Sequence, residues 1–352
     1  MRLRDVRSNF EWNLLWSSVL AFVLLFLVSQ SFASTNLING AGSTFAEPIF
    51  SKWSSQFGKQ NPNLRVNYQG IGSGAGIRQL TAGTVDFAGT DAVMTEAELK
   101  ALGKPVAHLP IVIGAVVLSY NLKLSAPLVL DGTTVAAIFD GKIRTWNDPA
   151  IQTLNPSLQL PSRPIVVATR SDSSGTTHVF TEYLSQVSPQ WNGKNGKTVT
   201  WFKGSIGAKG NAGVAGLIKQ AEGTIGYIEL VYALENKLQM AHLKNAKGKV
   251  VEPKVETVSL AASGPVLKTL SQKDFQVSLV NSGVEGAYPI ASFTWMLLPE
   301  GMPKAKYEAV FNFLNFGLSD EGQKLAAELN YSPLPKAIRA SVLERARKIS
   351  AQ

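Results

Sequence analysis

The chain of 352 residues contains no cysteine. Disulfides, thiolate metal sites and a cysteine nucleophile are excluded, and so is a cysteine-linked lipid that would tether an exported protein to a membrane. Histidine is almost as scarce. His108, His178 and His242 are the only three, and none of their spacings suits a shared metal, so no catalytic metal or other cofactor is expected. Each reads as a surface or capping residue. No basic run with interleaved aromatics occurs, so nucleic acid is not expected as a partner. Internal repeats and heptads are also lacking.

Long hydrophobic runs are confined to the beginning. Arg2, Arg4 and Arg7 precede an apolar stretch over residues 14–28, which ends at the small residues of Ser31-Phe32-Ala33. This is the pattern of a secretory signal peptide, residues 1–33, with cleavage near Ala33. The stretch is about 15 residues, against the roughly 20 that span a bilayer; an uncleaved anchor is the alternative. A soluble, exported protein is expected, periplasmic if the cell is Gram-negative. Removing the leader leaves about 319 residues, room for about two domains. The formal net charge is +9, of which the leader's three arginines against Asp5 and Glu11 hold +1, leaving +8 spread along the chain. A diffuse positive field aids solubility and favours the approach of small anions.

From about Asn36 the sequence alternates strands and helices. Phe45, Ile49, Trp53 and Phe57 recur every four residues, as on a helix face; Leu64, Val66 and Tyr68 alternate, as in a strand; Ile77 and Leu80 begin another helix; residues 85–88 read as a strand. Thr95-Glu-Ala-Glu98 matches a capping box. Residues 106–109 and 111–118 supply strand material on either side of Pro110. Further on, 133–139 reads as a helix, 165–169 and 225–228 as strands, 203–213 as a polar loop, and the last ~60 residues as helices starting near Ser319 and after Pro335. The expectation is an α/β architecture with open sheets.

Three clusters interrupt this rhythm at strand-to-helix junctions. Arg170-Ser-Asp-Ser-Ser-Gly-Thr-Thr177 puts a guanidinium, five hydroxyls and a glycine between a strand and a helix. Helix N-termini offer unpaired N–H groups, short hydroxyls add donors, and arginine adds a fork that fits an oxyanion. Ordinary N-capping explains any one such cluster. Gly40-Ala-Gly-Ser-Thr-Phe45 and Gly70-Ile-Gly-Ser-Gly-Ala-Gly76 repeat the design, with glycines that admit a close ligand. Three of a kind favour one shared small-anion site. The loose dinucleotide fingerprint at Gly70, Gly72 and Ala75 is set aside, because the loop suits a small ligand and an exported compartment lacks a ready nicotinamide pool. A Ser174 and His178 hydrolase pair is set aside too, since Ser174 does not lie in G-x-S-x-G.

Asp91 follows the third strand, at the end where α/β sheets place ligands. A carboxylate in an anion site repels its ligand unless the ligand carries a proton. Acting only as an acceptor, it then favours a protonated oxyanion, as phosphate is near neutral pH, over an unprotonated one such as sulfate. Asp172 reads as the residue that orients Arg170.

As a set, these clusters together with Leu130-Asp-Gly132, Gly141-Lys-Ile143, Trp146 and Gly226-Tyr-Ile-Glu229 resemble the phosphate-binding proteins of high-affinity phosphate ABC transporters, in order along essentially the whole chain after the leader. The resemblance implies a type II periplasmic-binding-protein fold: two α/β lobes joined by crossing strands, with the ligand between them. Lobe I would be discontinuous, residues 34–112 plus 290–352, and lobe II residues 113–289. The implied phosphate shell is Thr44, Phe45, Ser73, Asp91, Arg170, Ser174, Gly175 and Thr176, with Thr44 and Phe45 contributing through the N-terminus of the first helix. Ser43 and Gly74 stand where related sequences often have other small residues, which bears on affinity more than on ligand identity. A noncatalytic monomer is implied, delivering phosphate to transmembrane permease subunits. An exported phosphohydrolase and a receptor for another oxyanion are the competing readings.

Overall fold

The computed structural model describes residues 36–270 and 273–349; the expected leader lies outside them. Twelve strands are assigned among the described residues: β1 (Asn36–Gly42), β2 (Leu64–Gly70), β3 (Phe87–Thr90), β4 (Val106–Tyr120), β5 (Val129–Leu130), β6 (Val166–Arg170), β7 (Ile206–Ala208), β8 (Thr224–Glu229), β9 (Gln239–Met240), β10 (His242–Lys244), β11 (Val250–Val251) and β12 (Ala291–Pro299). Nine share one sheet, ordered β2-β1-β3-β12-β4-β8-β6-β7 with β9 also on β4, and β11-β10-β5 form a second. Within the large sheet β1 is parallel to β2 and β3, and β6 is parallel to β7 and β8. Helices fill the connections, as parallel pairs require.

The long strand β4 joins two α/β halves. Its residues Val106–Ala115 pair antiparallel with β12, and from Val116 onward it pairs with β8 instead. The chain crosses back just before β12, where the Val116 N–H donates to the Ile290 carbonyl at 2.9 Å. Pro110 does not divide β4, contrary to the two-segment reading of the sequence. Trp295 pairs with Pro110 and Thr294 with Val112, so Ile111 is the extra residue of a bulge. A bulge is where a sheet accommodates a residue without an N–H.

Each half has an aromatic core. In the first, Phe50 of the helix Glu47–Gln60 stacks on Tyr68 of β2 with ring centroids 4.2 Å apart, and the Trp53 indole donates to the Gly322 carbonyl at 2.8 Å. That indole ties the C-terminal helices Lys304–Gly317 and Asp320–Glu328 back onto the N-terminal unit. In the second, Phe180 stacks on Tyr227 at 4.5 Å. Such buried aromatic pairs contribute roughly 0.5–1.5 kcal/mol each beyond area burial. Packing in this way fixes the carboxyl ends of β1, β3, β6 and β7, which run straight into the turns that begin with Ser43, Asp91, Ser171 and Lys209.

Candidate functional site

The turns after those strands meet in one crevice. After β1 come Ser43 and Thr44; after β3 comes Asp91; and Gly72, with φ +91°, turns the chain from β2 into the helix Ser73–Thr81. From the other half, β6 ends on Arg170, and Ser174 caps the helix Gly175–Val187 by accepting the Thr177 N–H at 3.1 Å. The two sides are in contact: the Gly74 N–H donates to the Ser173 carbonyl at 3.1 Å. A Cβ on Gly74 would lie 2.1 Å from Ser173 Oγ, and one on Gly72 2.5 Å from Asp172 Oδ2. Glycine at these places is a condition of the apposition. Nearer the rim, Lys197 of the second half forms an ion pair with Glu98 of the first at 2.6 Å.

Asp91 is the acidic centre of the crevice. Thr294 Oγ1 donates to its Oδ1 at 2.7 Å, Ser43 Oγ donates to its Oδ2 at 2.5 Å, and Ser73 Oγ lies 3.5 Å from the same oxygen. Burial pushes the carboxyl up to about 6, against the opposing pull of Ser43, Thr294, Arg170 and Ser73. Burial disfavours the charged form, while donors and a nearby cation favour it. Near neutral pH the group is mostly an acceptor, and a modest acidification gives it a proton to donate.

Arg170 is almost fully buried and held as a fork. Its Nε donates to Asp172 Oδ1 at 2.8 Å, Nη2 to Asp172 Oδ2 at 2.6 Å, and Nη1 to Thr176 Oγ1 at 3.2 Å. Its backbone N–H donates to the Tyr227 hydroxyl at 3.1 Å, and that hydroxyl meets Thr177 Oγ1 at 2.7 Å, linking the site to the Phe180 stack. Burial alone would raise the Asp172 carboxyl, but the hydrogen bonds and charge of Arg170, with the Gly210 N–H, leave it below its usual range. A bidentate guanidinium–carboxylate pair of this kind is rigid as well as strong.

The structure thus brings together Thr44, Ser73, Asp91, Arg170, Asp172, Ser174, Gly175 and Thr176. Phe45 is placed differently from the sequence reading. The helix begins at Glu47 with Ala46 at its N-cap, so Thr44 and Phe45 belong to the turn before it, and the Phe45 N–H donates to Ser43 Oγ at 2.9 Å. Its position in the periodic pattern hid this, because its ring is buried like those of Ile49 and Trp53. His108 is not at the surface either: it is buried, and its Nε2 accepts the Met94 N–H at 3.1 Å.

Three further polar residues, Thr294, Ser43 and Asn211, line the crevice beyond the expected shell. Thr294 lies in the mostly apolar β12, and Ser43 belongs to the Gly40–Phe45 cluster without being one of the expected ligand residues. Asn211 sits in what read as a polar loop but is the first turn of the helix Gly210–Gln220. Fully buried, it donates from Nδ2 to Thr44 Oγ1 at 2.9 Å and to Thr176 Oγ1 at 3.2 Å. A cavity of about 270 Å³ opens beside Thr44, bordered by Glu47, Ile71, Asp172 and Lys209.

Residues 29–321 match the family model of the PBP superfamily domain. A phosphate-binding protein PstS of Xylella fastidiosa is 42% identical over 303 residues, covering 85% of this chain and 81% of that protein. The chain belongs to the PstS family of phosphate-binding proteins. The PstS protein of Haemophilus influenzae is 39% identical over 327 residues, 92% of this chain and 96% of its own length. Among solved structures, a phosphate-binding protein from Stenotrophomonas maltophilia superposes with a TM-score of 0.70 at 20% identity, covering 88% of this chain and 93% of that one. The periplasmic phosphate-binding protein PfluDING, solved with phosphate, gives 0.70 at 24% identity, over 87% and 92%. The fold is the two-lobed α/β architecture of periplasmic binding proteins. No helix among the described residues is long and apolar enough to cross a membrane.

Proposed function

We propose that this chain is the exported receptor of a phosphate ABC importer, binding inorganic phosphate noncovalently between lobe I (34–112 plus 290–352) and lobe II (113–289) and presenting it to permease subunits as a monomer in the periplasm. The change of partner along β4 supports that lobe boundary. The proposed shell is Thr44, Phe45, Ser73, Asp91, Arg170, Ser174, Gly175 and Thr176.

The observation that carries the reading is the buried carboxylate of Asp91 at the junction of an otherwise donor-rich crevice. The guanidinium, the hydroxyls and the helix N-termini replace the water that an anion loses on entry. The Asp172 carboxylate is taken up by Arg170, whereas the Asp91 carboxylate, with no hydrogen-bonded cation among the described residues, rewards a ligand that still holds a proton and penalises one that does not. Closure of the lobes on phosphate would create the surface the permease reads, a hinge motion about β4 and the segment before β12.

Binding rather than hydrolysis is favoured by how the serines are held. Ser43 Oγ already donates to Asp91 and Ser174 Oγ caps its helix, while the His178 Nε2 faces Glu182 at 4.0 Å. Residues 34–352 should bind phosphate and Arg170→Ala should bind it at least about 100-fold more weakly, as expected for loss of a charged donor from a buried site. An unchanged affinity would move the site elsewhere. Incubation with a phosphate monoester should release no phosphate above background; turnover would favour the hydrolase.

A further inference from the structure

The hydroxyls of the crevice are amphoteric: each has one O–H to donate and two lone pairs that accept. An anion needs the donor end, so something must prevent the hydroxyls from turning their lone pairs inward. Asn211 occupies the position from which this is done. Its side-chain Nδ2 donates to Thr44 Oγ1 at 2.9 Å and to Thr176 Oγ1 at 3.2 Å, one hydrogen to each wall. The Asn211 backbone N–H donates to the same Thr44 oxygen at 3.2 Å, and Arg170 Nη1 donates to the same Thr176 oxygen at 3.2 Å. Each threonine oxygen therefore accepts two hydrogen bonds, which fills both its lone pairs. The O–H is the only function left to either side chain.

The amide cannot be reversed to offer its oxygen instead. Asn211 Oδ1 accepts the Glu229 N–H at 3.0 Å, so a flipped amide would set two N–H groups against each other and leave both threonines with an acceptor in place of a donor. Full burial removes water as an alternative partner. A lysine at the N-cap and glycine at the first helical position leave the helix Gly210–Gln220 without a side-chain cap, so its second residue is free to serve the crevice.

We propose that Asn211 is a positioning residue that sets the polarity of the anion site, holding Thr44 and Thr176 as obligate donors to phosphate from opposite walls. This rests on the phosphate reading above and adds to it a residue that acts through the hydroxyls. An aspartate at 211 keeps the acceptor for Glu229 but turns the bridging amide into a second acceptor, to which both threonines would donate, away from the ligand.

The test is a double-mutant cycle, read by phosphate titration of residues 34–352. Asn211→Asp is measured in the native background and in the Thr44→Val, Thr176→Val background. The expected loss is about 100-fold in the first and under about 10-fold in the second, because the substitution has no hydroxyls left to reverse and only charge repulsion remains. Asn211→Ala, which removes the donors without adding charge, runs through the same cycle and serves if the aspartate variant does not fold; about a 10-fold loss should shrink to less than about 3-fold. Equal losses in both backgrounds would overturn the proposal, since a residue that merely packs would act regardless of the hydroxyls. Failure of the native protein to bind phosphate would instead remove the functional reading, and this inference with it.

Discussion

Asp91 and Gly175 come from opposite sides of the crevice, yet a Cβ placed on Gly175 would sit 2.5 Å from Asp91 Oδ2 and 2.5 Å from Ser73 Oγ. The first residue of the helix Gly175–Val187 is thus pressed against the carboxylate that follows β3, and only the absence of a side chain allows it. This contact places the helix N-terminus, with its unpaired N–H groups, beside the acidic group proposed to select the ligand.

Gly175→Ala should therefore act on closure and little on folding. Alanine favours a helix over glycine, so the ligand-free variant should melt near the native temperature or slightly above it. The added methyl must push the walls apart, a cost of about 1–3 kcal/mol by analogy with overpacked cores, or about 10- to 100-fold in phosphate affinity. Calorimetric titration and a thermal melt read the two effects separately; native affinity would show that the walls need not approach.

Acidification should erode selectivity against sulfate. Asp91, raised to about 6 by burial, is an acceptor at pH 8 and gains a proton at pH 5, after which it can donate to an unprotonated oxyanion. Sulfate affinity should fall about tenfold per pH unit above 6, since binding requires the protonated carboxyl. Asn at position 91 carries no such proton, so Asp91→Asn should lose that dependence. Titrations with sulfate at pH 5, 6, 7 and 8 check both; a flat native profile contradicts the assignment.

Glu229 gives a separate pH signature in stability. It is fully buried, its Oε2 accepts the Val231 N–H at 2.6 Å, and its Oε1 has no hydrogen-bond partner. Burial, reinforced by the charges of Asp91 and Glu235, raises its carboxyl well above the ordinary range, although the bonds from Val231 and Leu230 oppose this. The folded chain then keeps a proton that the unfolded chain releases, so stability from this group falls as pH rises from the ordinary carboxylate range toward the raised value. Glu229→Gln cannot titrate. Its stability relative to native should increase between pH 5 and pH 8 by at least about 1 kcal/mol, read by urea unfolding; a constant difference would show that the carboxyl is ionised throughout.

Much of this site is legible in the sequence because its glycines and hydroxyls cluster where strands give way to helices. Gly40 to Phe45, Gly70 to Gly76 and Arg170 to Thr177 each stand out locally, and strand-to-helix alternation already places them at one end of a sheet. What escaped was nonlocal or disguised. Thr294 reaches Asp91 from β12, more than 200 residues later, and nothing in its apolar surroundings marks it. Asn211 lies in a stretch rich in glycine and lysine, where a helix with no conventional cap begins; Val214, Leu217 and Ile218, at helical spacing, were the available signal. The bulge at Ile111 shows the same limit, since Pro110 reads as a break until β12 is seen opposite it. The ion pair between Glu98 and Lys197 was hidden similarly, because Glu98 already had a local role in the capping box with Thr95.

A paired calorimetric titration of residues 34–352 with phosphate and with sulfate near pH 7.5 tests the selection of phosphate by Asp91. Tight binding of phosphate with little or no heat from sulfate is the predicted result, because only phosphate brings a proton to Asp91. Equal affinity for the two anions, or tighter binding of sulfate, would contradict it.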